Sequence, residues 1–311
     1  MGAEFAPFRR EFQEAGVKGV ITQMSFTKKR IVTDISLASG QFSIGGGNSA
    51  ALRGLRTSCI IDANGGFSQS NMQMAIFGLP LSLMNQLSNV GKDYNKSLPN
   101  TITVQAGDDE MGMHLVFQGQ IFSAFVDARA MPEVAFRIQA MPGGFDKVKP
   151  ATPMSFKGSG DVAQMMSQVA SKMGVSFENN GVSVKLANPY YAGSLFQQAA
   201  NIARDAGIEW ILDRGTLAIS PPGKPRQGGA KLISPTTGLV GYPMFNENQV
   251  ICQILFDPIV KMGGEVEIKS DLTSACGKWI VNQLTHYLDA EMPKGKWFSL
   301  VSCYGPGETV G

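Results

Sequence analysis

The chain has 311 residues, with 27 basic and 25 acidic side chains and a formal net charge of +2. At ~150 residues per domain, this length predicts two or three domains, each large enough to bury its own core. These values exclude a mini-protein held by disulfides, a disordered polyelectrolyte and a nucleic-acid binder that depends on a strong basic field.

Charged residues make up only 17% of the sequence, against the ~25% typical of soluble domains. The hydrophobic share is 43% before the 36 glycines are counted. A surface so poor in charge indicates that neighbouring subunits cover part of it.

The cysteines show neither CxxC spacing nor histidine-rich neighbours, so the sequence predicts no zinc site and no redox pair. We expect buried free thiols at Cys59, Cys252, Cys276 and Cys303. No apolar run approaches the ~18 residues that a spanning helix requires, so neither a membrane span nor an export signal is expected.

Residues 1–19 form a predicted N-terminal arm, with Phe5, Phe8 and Phe12 among charged residues. This arm is either a helical segment that reaches a neighbouring subunit or a disordered one.

Residues 20–150 are predicted to form a first β domain. Short alternating runs broken by Gly, Asn and Pro, such as 101–106, 114–119 and 133–140, have the spacing of a sandwich or barrel. One helix is predicted at 81–90, where apolar residues recur at helical spacing.

Residues 151–222 are predicted to form a small domain of two αββ units. The first helix begins at the Asp161 cap and ends at Gly174, and the second begins at Ser194 and ends at Gly207. Glycine closes a helix C-terminus because it adopts the left-handed conformation without steric cost.

A hairpin is predicted after each of these helices. Asn179-Asn180-Gly181 is a strong signal for the first, and Asp213-Arg214-Gly215 provides the turn of the second. The predicted strand pairs are 175–177 with 182–186 and 208–212 with 216–220.

Residues 223–311 are predicted to be a linker rich in Pro and Gly, followed by a second β domain from about 233 to 304. Its elements follow the order seen in the first: a strand leading into a short segment, another strand, a strand opened by glycine, a proline turn and a closing strand. This order predicts two copies of one β domain on either side of the αββ domain.

A candidate dinucleotide motif lies at Gly158-Ser159-Gly160-Asp161-Val162-Ala163, which fits GxGxxG/A and has the acidic Glu178 about 20 residues further on. Two features argue against a nucleotide. Asp161 places a negative charge where the pyrophosphate would lie, and the predicted Asn-Gly hairpin makes the next strand antiparallel. We therefore favour a loop followed by a capped helix.

Other catalytic signals are missing from the sequence. His114 and His286 are the only histidines, both between apolar residues, and no GxSxG, HExxH or Walker pattern occurs. Asp108, Asp109 and Glu110 are expected at an exposed hairpin tip instead of a cation site. We predict structural histidines, no catalytic, cofactor or metal site, and no enzymatic activity.

Basic residues cluster at Lys28, Lys29 and Arg30, and again at Lys294 and Lys296. No aromatic residues are interleaved with them on a basic face, so sequence-specific nucleic-acid binding is not expected.

Several segments carry a family resemblance. They are QILFDP (253–258), GGEVEIKS (263–270), GKWIV (277–281), LTHYL (284–288) and PKGKW (293–297), together with the helix exits at Gly174 and Gly207. In these segments and in the order of its elements over roughly 20–305, the chain resembles the baseplate hub proteins of tailed bacteriophages. This is the late control protein D family, which is related to the N-terminal part of type VI secretion spike proteins.

The resemblance implies an α+β, mostly β fold, with two tube-type barrel or sandwich domains flanking the tandem αββ domain. It implies a structural virion protein, made in the host cytoplasm, whose homotrimeric ring adapts a hexameric tail tube to a threefold spike. The implied partners are the tail tube or distal tail protein, the central spike protein and, as a further candidate, the tape measure protein. Because the chain ends soon after its last predicted strand, we expect the spike and any lytic module to be separate polypeptides.

An alternative function is a glycan- or peptidoglycan-binding module displayed on the β scaffold. Trp210, Tyr190 and Tyr191 would form its stacking platform.

Overall fold

The computed structural model describes residues 27–38, 41–42, 46–66, 70–88, 100–246 and 248–306. The fold is α+β and mostly β, as the sequence predicts. The predicted arm at 1–19, with Phe5, Phe8 and Phe12, lies outside the described residues.

The N-terminal part is a series of strands with two short helices. Its strands alternate buried and partly exposed side chains, which is the period of a sheet with one face on a core. In chain order the elements are β1 (Lys29–Ser36), β2 (Ser49–Leu52), β3 (Thr57–Asn64), β4 (Asn71–Phe77), α1 (Leu81–Leu87), β5 (Thr101–Asp108), β6 (Gly112–Asp127), β7 (Ala135–Met141) and α2 (Gly144–Val148).

The central part packs two helices against short strands. Its elements are β8 (Met154–Ser155), β9 (Ser159–Asp161), α3 (Val162–Met173), β10 (Ser176–Asn179), β11 (Lys185–Ala187), β12 (Tyr190–Tyr191), α4 (Leu195–Ala206), β13 (Glu209–Asp213) and β14 (Thr216–Ser220). Both helices have the predicted ends. Asp161 accepts a hydrogen bond from the Gln164 N–H, Ser194 forms a capping box with Gln197, and a left-handed glycine ends each helix.

The first predicted hairpin of the central part is wrong. The Asn179 side chain does form a tight turn, because its Oδ1 accepts hydrogen bonds from the N–H groups of Gly181 and Val182. The chain then leaves β10, which pairs in parallel with β14, while β11 pairs with β9. Only β13 and β14 form the predicted hairpin, so the two αββ units differ in their pairing.

The C-terminal part returns to strands after an irregular segment at 221–230. Its elements are β15 (Lys231–Ile233), β16 (Leu239–Asn246), β17 (Gln249–Leu255), β18 (Glu265–Ile268), a 3-10 turn at Thr273–Ala275, β19 (Gly277–Ala290) and β20 (Trp297–Tyr304).

The N-terminal and C-terminal parts have the same strand order. Hydrogen-bonded neighbours run β3-β4-β7-β6-β5-β1 in the first and β16-β17-β20-β19-β18-β15 in the second, and chain order matches position for position apart from the additional β2. One pairing differs, since β1 is antiparallel to β5 whereas β15 is parallel to β18.

A β-bulge recurs at the same place in both parts. The β6–β7 register shifts after the pair Ile121 and Ala140, and the β19–β20 register shifts after Val281 and Cys303. In each part, one more residue pair lies between this pair and the C-terminal end of the last strand, which is β7 in the first part and β20 in the second. These positions give an alignment of the two parts that depends on hydrogen bonding alone.

Both parts belong to one 13-stranded sheet, because β3 pairs antiparallel with the second half of β19. The strands of the described residues form no closed barrel. The two predicted barrel or sandwich domains are therefore not separate closed units, because their strands share one sheet. Leu288 and Ala290 of β19 are buried in the core of the N-terminal part.

Candidate assembly interface

The joint between the two parts is built from eight residue pairs, from Gln283 with Asn64 to Ala290 with Thr57. Alternate pairs face inward, and His286 opposite Ile61 is one of them, at 1% and 2% exposure. The joint therefore has a buried side and an outer side, and its register is fixed by side-chain burial.

His286 is held within this joint by polar contacts. Its Nδ1 lies 2.7 Å from Ser299 Oγ, its Nε2 lies 3.4 Å from Arg214 Nη2, and its ring packs edge-on against Phe256. Burial, with the nearby Arg214 charge, lowers the pKa of His286 to about 3. The imidazole is therefore neutral at physiological pH, which agrees with the predicted structural role.

Arg214 attaches the central part to the C-terminal part. It lies in the β13–β14 turn at φ +48° and donates hydrogen bonds to the carbonyl oxygens of Pro258 and Val260, at 2.7 and 2.9 Å. Buried Arg226 makes a second attachment, with Glu178 at 2.8 Å and the Met262 carbonyl oxygen at 3.2 Å. No local sequence pattern predicts these contacts, because each joins residues far apart along the chain.

Several sheet edges carry no strand partner among the described residues, the outer edges of β2 and β15 among them, and two others carry exposed apolar side chains. The first is the outer edge of β16, which pairs only with β17. The second is the stretch 123–127 of β6, which pairs with β7 on one side, while β5 covers β6 only as far as Gln120. Such edges are templates for pairing with another chain.

Exposed apolar side chains lie on both edges. Val240, Tyr242, Met244 and Phe245 of β16 are 40%, 68%, 58% and 49% exposed, and Phe125 of β6 is 42% exposed. Neither stretch contains a lysine or arginine of the kind that keeps a free edge from pairing, although Pro243 interrupts β16. We take these two edges as the candidate interface.

The predicted charge clusters neutralise each other. The β1–β5 register places Lys29 opposite Asp108, and ion pairs join Lys29 to Asp108 at 2.7 Å and Arg30 to Asp109 at 3.0 Å. Burial opposes ionisation of Asp108, but hydrogen bonds from Lys29 and from backbone N–H groups lower its pKa to about 2. Asp108 is buried, whereas the sequence predicted an exposed tip.

Lys28 and Lys296 also have partners. Lys28 pairs with Glu291 at 2.7 Å, and the Lys296 ammonium lies 5.5 Å from the centroid of the Tyr287 ring. Within the described ranges, no group of three or more His, Cys, Asp or Glu residues could hold a metal ion.

The dinucleotide motif lies in a different setting from a nucleotide site. Ser159 to Asp161 pair with β11, the Asp161 carboxylate caps α3, and Glu178 is engaged by Arg226. The Asn-Gly hairpin used as one argument against the nucleotide does not form, although β10 pairs in parallel with β14 and not with β9, the strand before α3. The other argument stands, because the Asp161 carboxylate occupies the N-terminus of α3, where a pyrophosphate would have to bind.

The predicted glycan platform does not form. Trp210 is 4% exposed and packs edge-on against Phe196, and Tyr191 is 6% exposed and donates to Asp205, while Tyr190 is exposed. Trp210 and Tyr191 are core residues, because they pack between the helices and strands of the central part.

Two smaller predictions need correction or refinement. Cys59, Cys252 and Cys303 are buried free thiols as expected, but Cys276 is exposed. His114 is exposed on β6 with Nε2 2.8 Å from the Met111 carbonyl oxygen, so it is satisfied but not part of a core.

A cleft of about 470 Å³ lies between the central and C-terminal parts. Glu209 and Tyr304 line it and contact each other at 3.3 Å, and burial raises the pKa of Glu209. Neither of the two histidines and none of the four cysteines lines this cleft. In the part of the chain that the structure describes, no helix is long and apolar enough to cross a membrane.

Solved structures of phage tail proteins share this fold. The prophage MuSo2 43 kDa tail protein from Shewanella oneidensis matches with a TM-score of 0.59 and 11% identity, over 90% of this chain and 97% of that chain. The tail protein from Neisseria meningitidis MC58 matches with the same values.

A type VI secretion protein is also similar. The E. coli c3393 protein, described as a component of that system with structural similarity to T4 tail proteins gp27 and gp5, matches with a TM-score of 0.54 and 10% identity, over 83% of this chain and 75% of that chain. No curated protein sequence matches the chain.

The sequence profile of one protein family, baseplate hub gp41, matches residues 39–293. This match spans most of the chain, because it covers the central part and all of both β parts except β1 and β20, and it agrees with the resemblance seen in the sequence. The chain belongs to the baseplate hub gp41 family of phage tail structural proteins.

Proposed function

We propose that this protein is the symmetry adapter of the baseplate, in which three copies close into a ring. Each copy contributes two β parts, so a trimer presents three times two, or six, similar positions to a sixfold tail tube. The same ring presents true threefold symmetry to a central spike.

One observation carries this proposal: the strand order of the N-terminal part recurs in the C-terminal part, bulge included, and the two parts join edge to edge. A chain with one such part would need six copies to match a sixfold tube. Two parts per chain are what a threefold ring needs to present six positions.

In this proposal the tube-type domains are residues 20–150 and the β region of 223–311, with 151–222 as a separate small domain. Its neighbours are the tail tube or distal tail protein, the central spike protein and the tape measure protein, and it is a component of the virion made in the host cytoplasm. The low charge content supports extensive coverage by such neighbours.

The test is the mass of the purified protein in solution together with averaged end-on images. We expect three times the 33.3 kDa chain mass and a threefold ring with a pseudo-sixfold rim. Since some assemblies need their neighbours, the measurement is repeated with the tube and spike proteins added. A chain that stays monomeric in all of these mixtures would contradict the proposal.

A further inference from the structure

The joint between the two parts of one chain has an unused counterpart on the same chain. Within the chain, the outer edge of β3 pairs with the second half of β19. By the shared strand order, β16 corresponds to β3, and the stretch 123–127 of β6 corresponds to the second half of β19. Both of these counterparts are free edges in the described residues.

The bulge alignment gives the register of this second joint. Ile121 corresponds to Val281, so Val126 corresponds to His286. Ala140 corresponds to Cys303. In the N-terminal part Ala140 pairs with Met72, which pairs with Ile61. In the C-terminal part Cys303 pairs with Val250, which pairs with Phe245. The pair His286 with Ile61 therefore predicts a pair of Val126 with Phe245.

We infer that residues 244–246 at the end of β16 in one copy pair antiparallel with residues 125–127 of the next copy, with Val126 opposite Phe245. The occupant of each free edge is a second copy of this chain. This inference rests on the proposed ring, and it specifies which edges close it and in which register.

Side-chain character supports this partner. His286 and Ile61 are buried in the joint within the chain, whereas Phe245 is 49% exposed and Val126 only partly buried against the N-terminal core. Pairing would place two apolar side chains opposite each other on the buried side.

The two joints differ in one respect. β16 has an irregular register between Val240 and Met244, with Gly241 at φ +71° and Pro243, which has no N–H to donate. Regular pairing is therefore confined to the stretch that begins at Met244, so the joint between copies has fewer hydrogen bonds than the eight-pair joint within the chain.

Cysteine cross-linking tests the edges and the register together. In a background in which the exposed Cys276 is changed to Ser, one preparation carries Val126→Cys and a second carries Phe245→Cys. We expect the oxidised mixture, and neither preparation alone, to give a disulfide-linked dimer. The register control replaces Val126→Cys with Phe125→Cys, whose side chain lies on the opposite face of the strand, and should give at least tenfold less dimer.

A second variant tests the edge without a cross-link. Phe245→Lys should abolish assembly, because a lysine on an edge strand blocks pairing, while the exposed position leaves the fold of the monomer intact by circular dichroism. Val148→Lys, also at an exposed apolar residue, is the matched control and should assemble normally.

The outcomes separate this inference from the proposed function. If a ring forms but the mixed Val126→Cys and Phe245→Cys preparations give no disulfide-linked dimer, the inferred edges are wrong. The same holds if Phe245→Lys still assembles into a ring. Either result leaves the adapter proposal standing. A protein that is monomeric under every condition and gives no cross-link overturns both.

Discussion

His286 provides a test of the joint at the level of one residue. Its pKa lies at about 3 in the folded protein and near ~6.5 when unfolded, so below pH ~6.5 the unfolded chain binds a proton that the folded chain cannot. Stability that is present at pH 7 is therefore lost as the pH falls, by at most ~1.4 kcal/mol per pH unit from this group. His286→Gln should weaken this dependence.

The measurement is urea unfolding of wild type and His286→Gln at pH 7, 6 and 5. The variant should be less stable at pH 7 by roughly 1–3 kcal/mol, since Ser299 and Arg214 lose part of their buried contacts. The difference between the two proteins should shrink toward pH 5. His114→Gln, at an exposed position, is the control, and a constant difference across the pH range would argue against a buried neutral imidazole.

Charged residues show why single residues were predicted only in part. The sequence predicts a basic cluster at 28–30 and, separately, an exposed acidic hairpin tip at 108–110. The strand register that sets Lys29 against Asp108 spans 79 positions, so no local pattern could join them. For the same reason the contacts of Arg214 and Arg226 were not foreseen.

Ser194 tests a helix end that the sequence did predict. Its Oγ accepts a hydrogen bond from the Gln197 N–H, and the Gln197 side chain returns to the Ser194 N–H. Ser194→Ala should cost about 1 kcal/mol of unfolding free energy, because it leaves a helix donor unpaired. Chemical denaturation measures the loss. Ser171→Ala near the end of α3 is the control, because Ser171 contributes to a cap only through its carbonyl oxygen, which the substitution keeps. A loss equal to the control's would show that the capping box contributes nothing.

Elements were predictable where their signals are local. The caps and closing glycines of α3 and α4 lie within a few residues of the helices they bound, and both helices have the predicted ends. The Asn-Gly turn also forms, yet its strands have other partners, since β10 pairs with β14 and β11 pairs with β9. Strand partners depend on the whole chain, which is why the hairpin failed and the two free edges could not be foreseen.

The continuous sheet makes a prediction for the whole molecule. Leu288 belongs to β19 of the C-terminal part but is fully buried in the core of the N-terminal part, beside Cys59 on the partner strand. Leu288→Ala should therefore destabilise both parts together, by about 2–5 kcal/mol. Hydrogen exchange reports each part separately, through the amides of β4 and β17.

We expect exchange to accelerate in both strands to a similar extent, in a protein that unfolds in one transition. Leu217→Ala, fully buried in the core of the central part, is the matched control, because it creates a comparable cavity away from the joint. If Leu288→Ala speeds exchange in β4 alone and leaves β17 protected, the two parts are independent domains that merely touch. Coupled loss of protection in β4 and β17 would show that the two parts unfold as one cooperative unit, joined through the hydrogen-bonded strands β3 and β19.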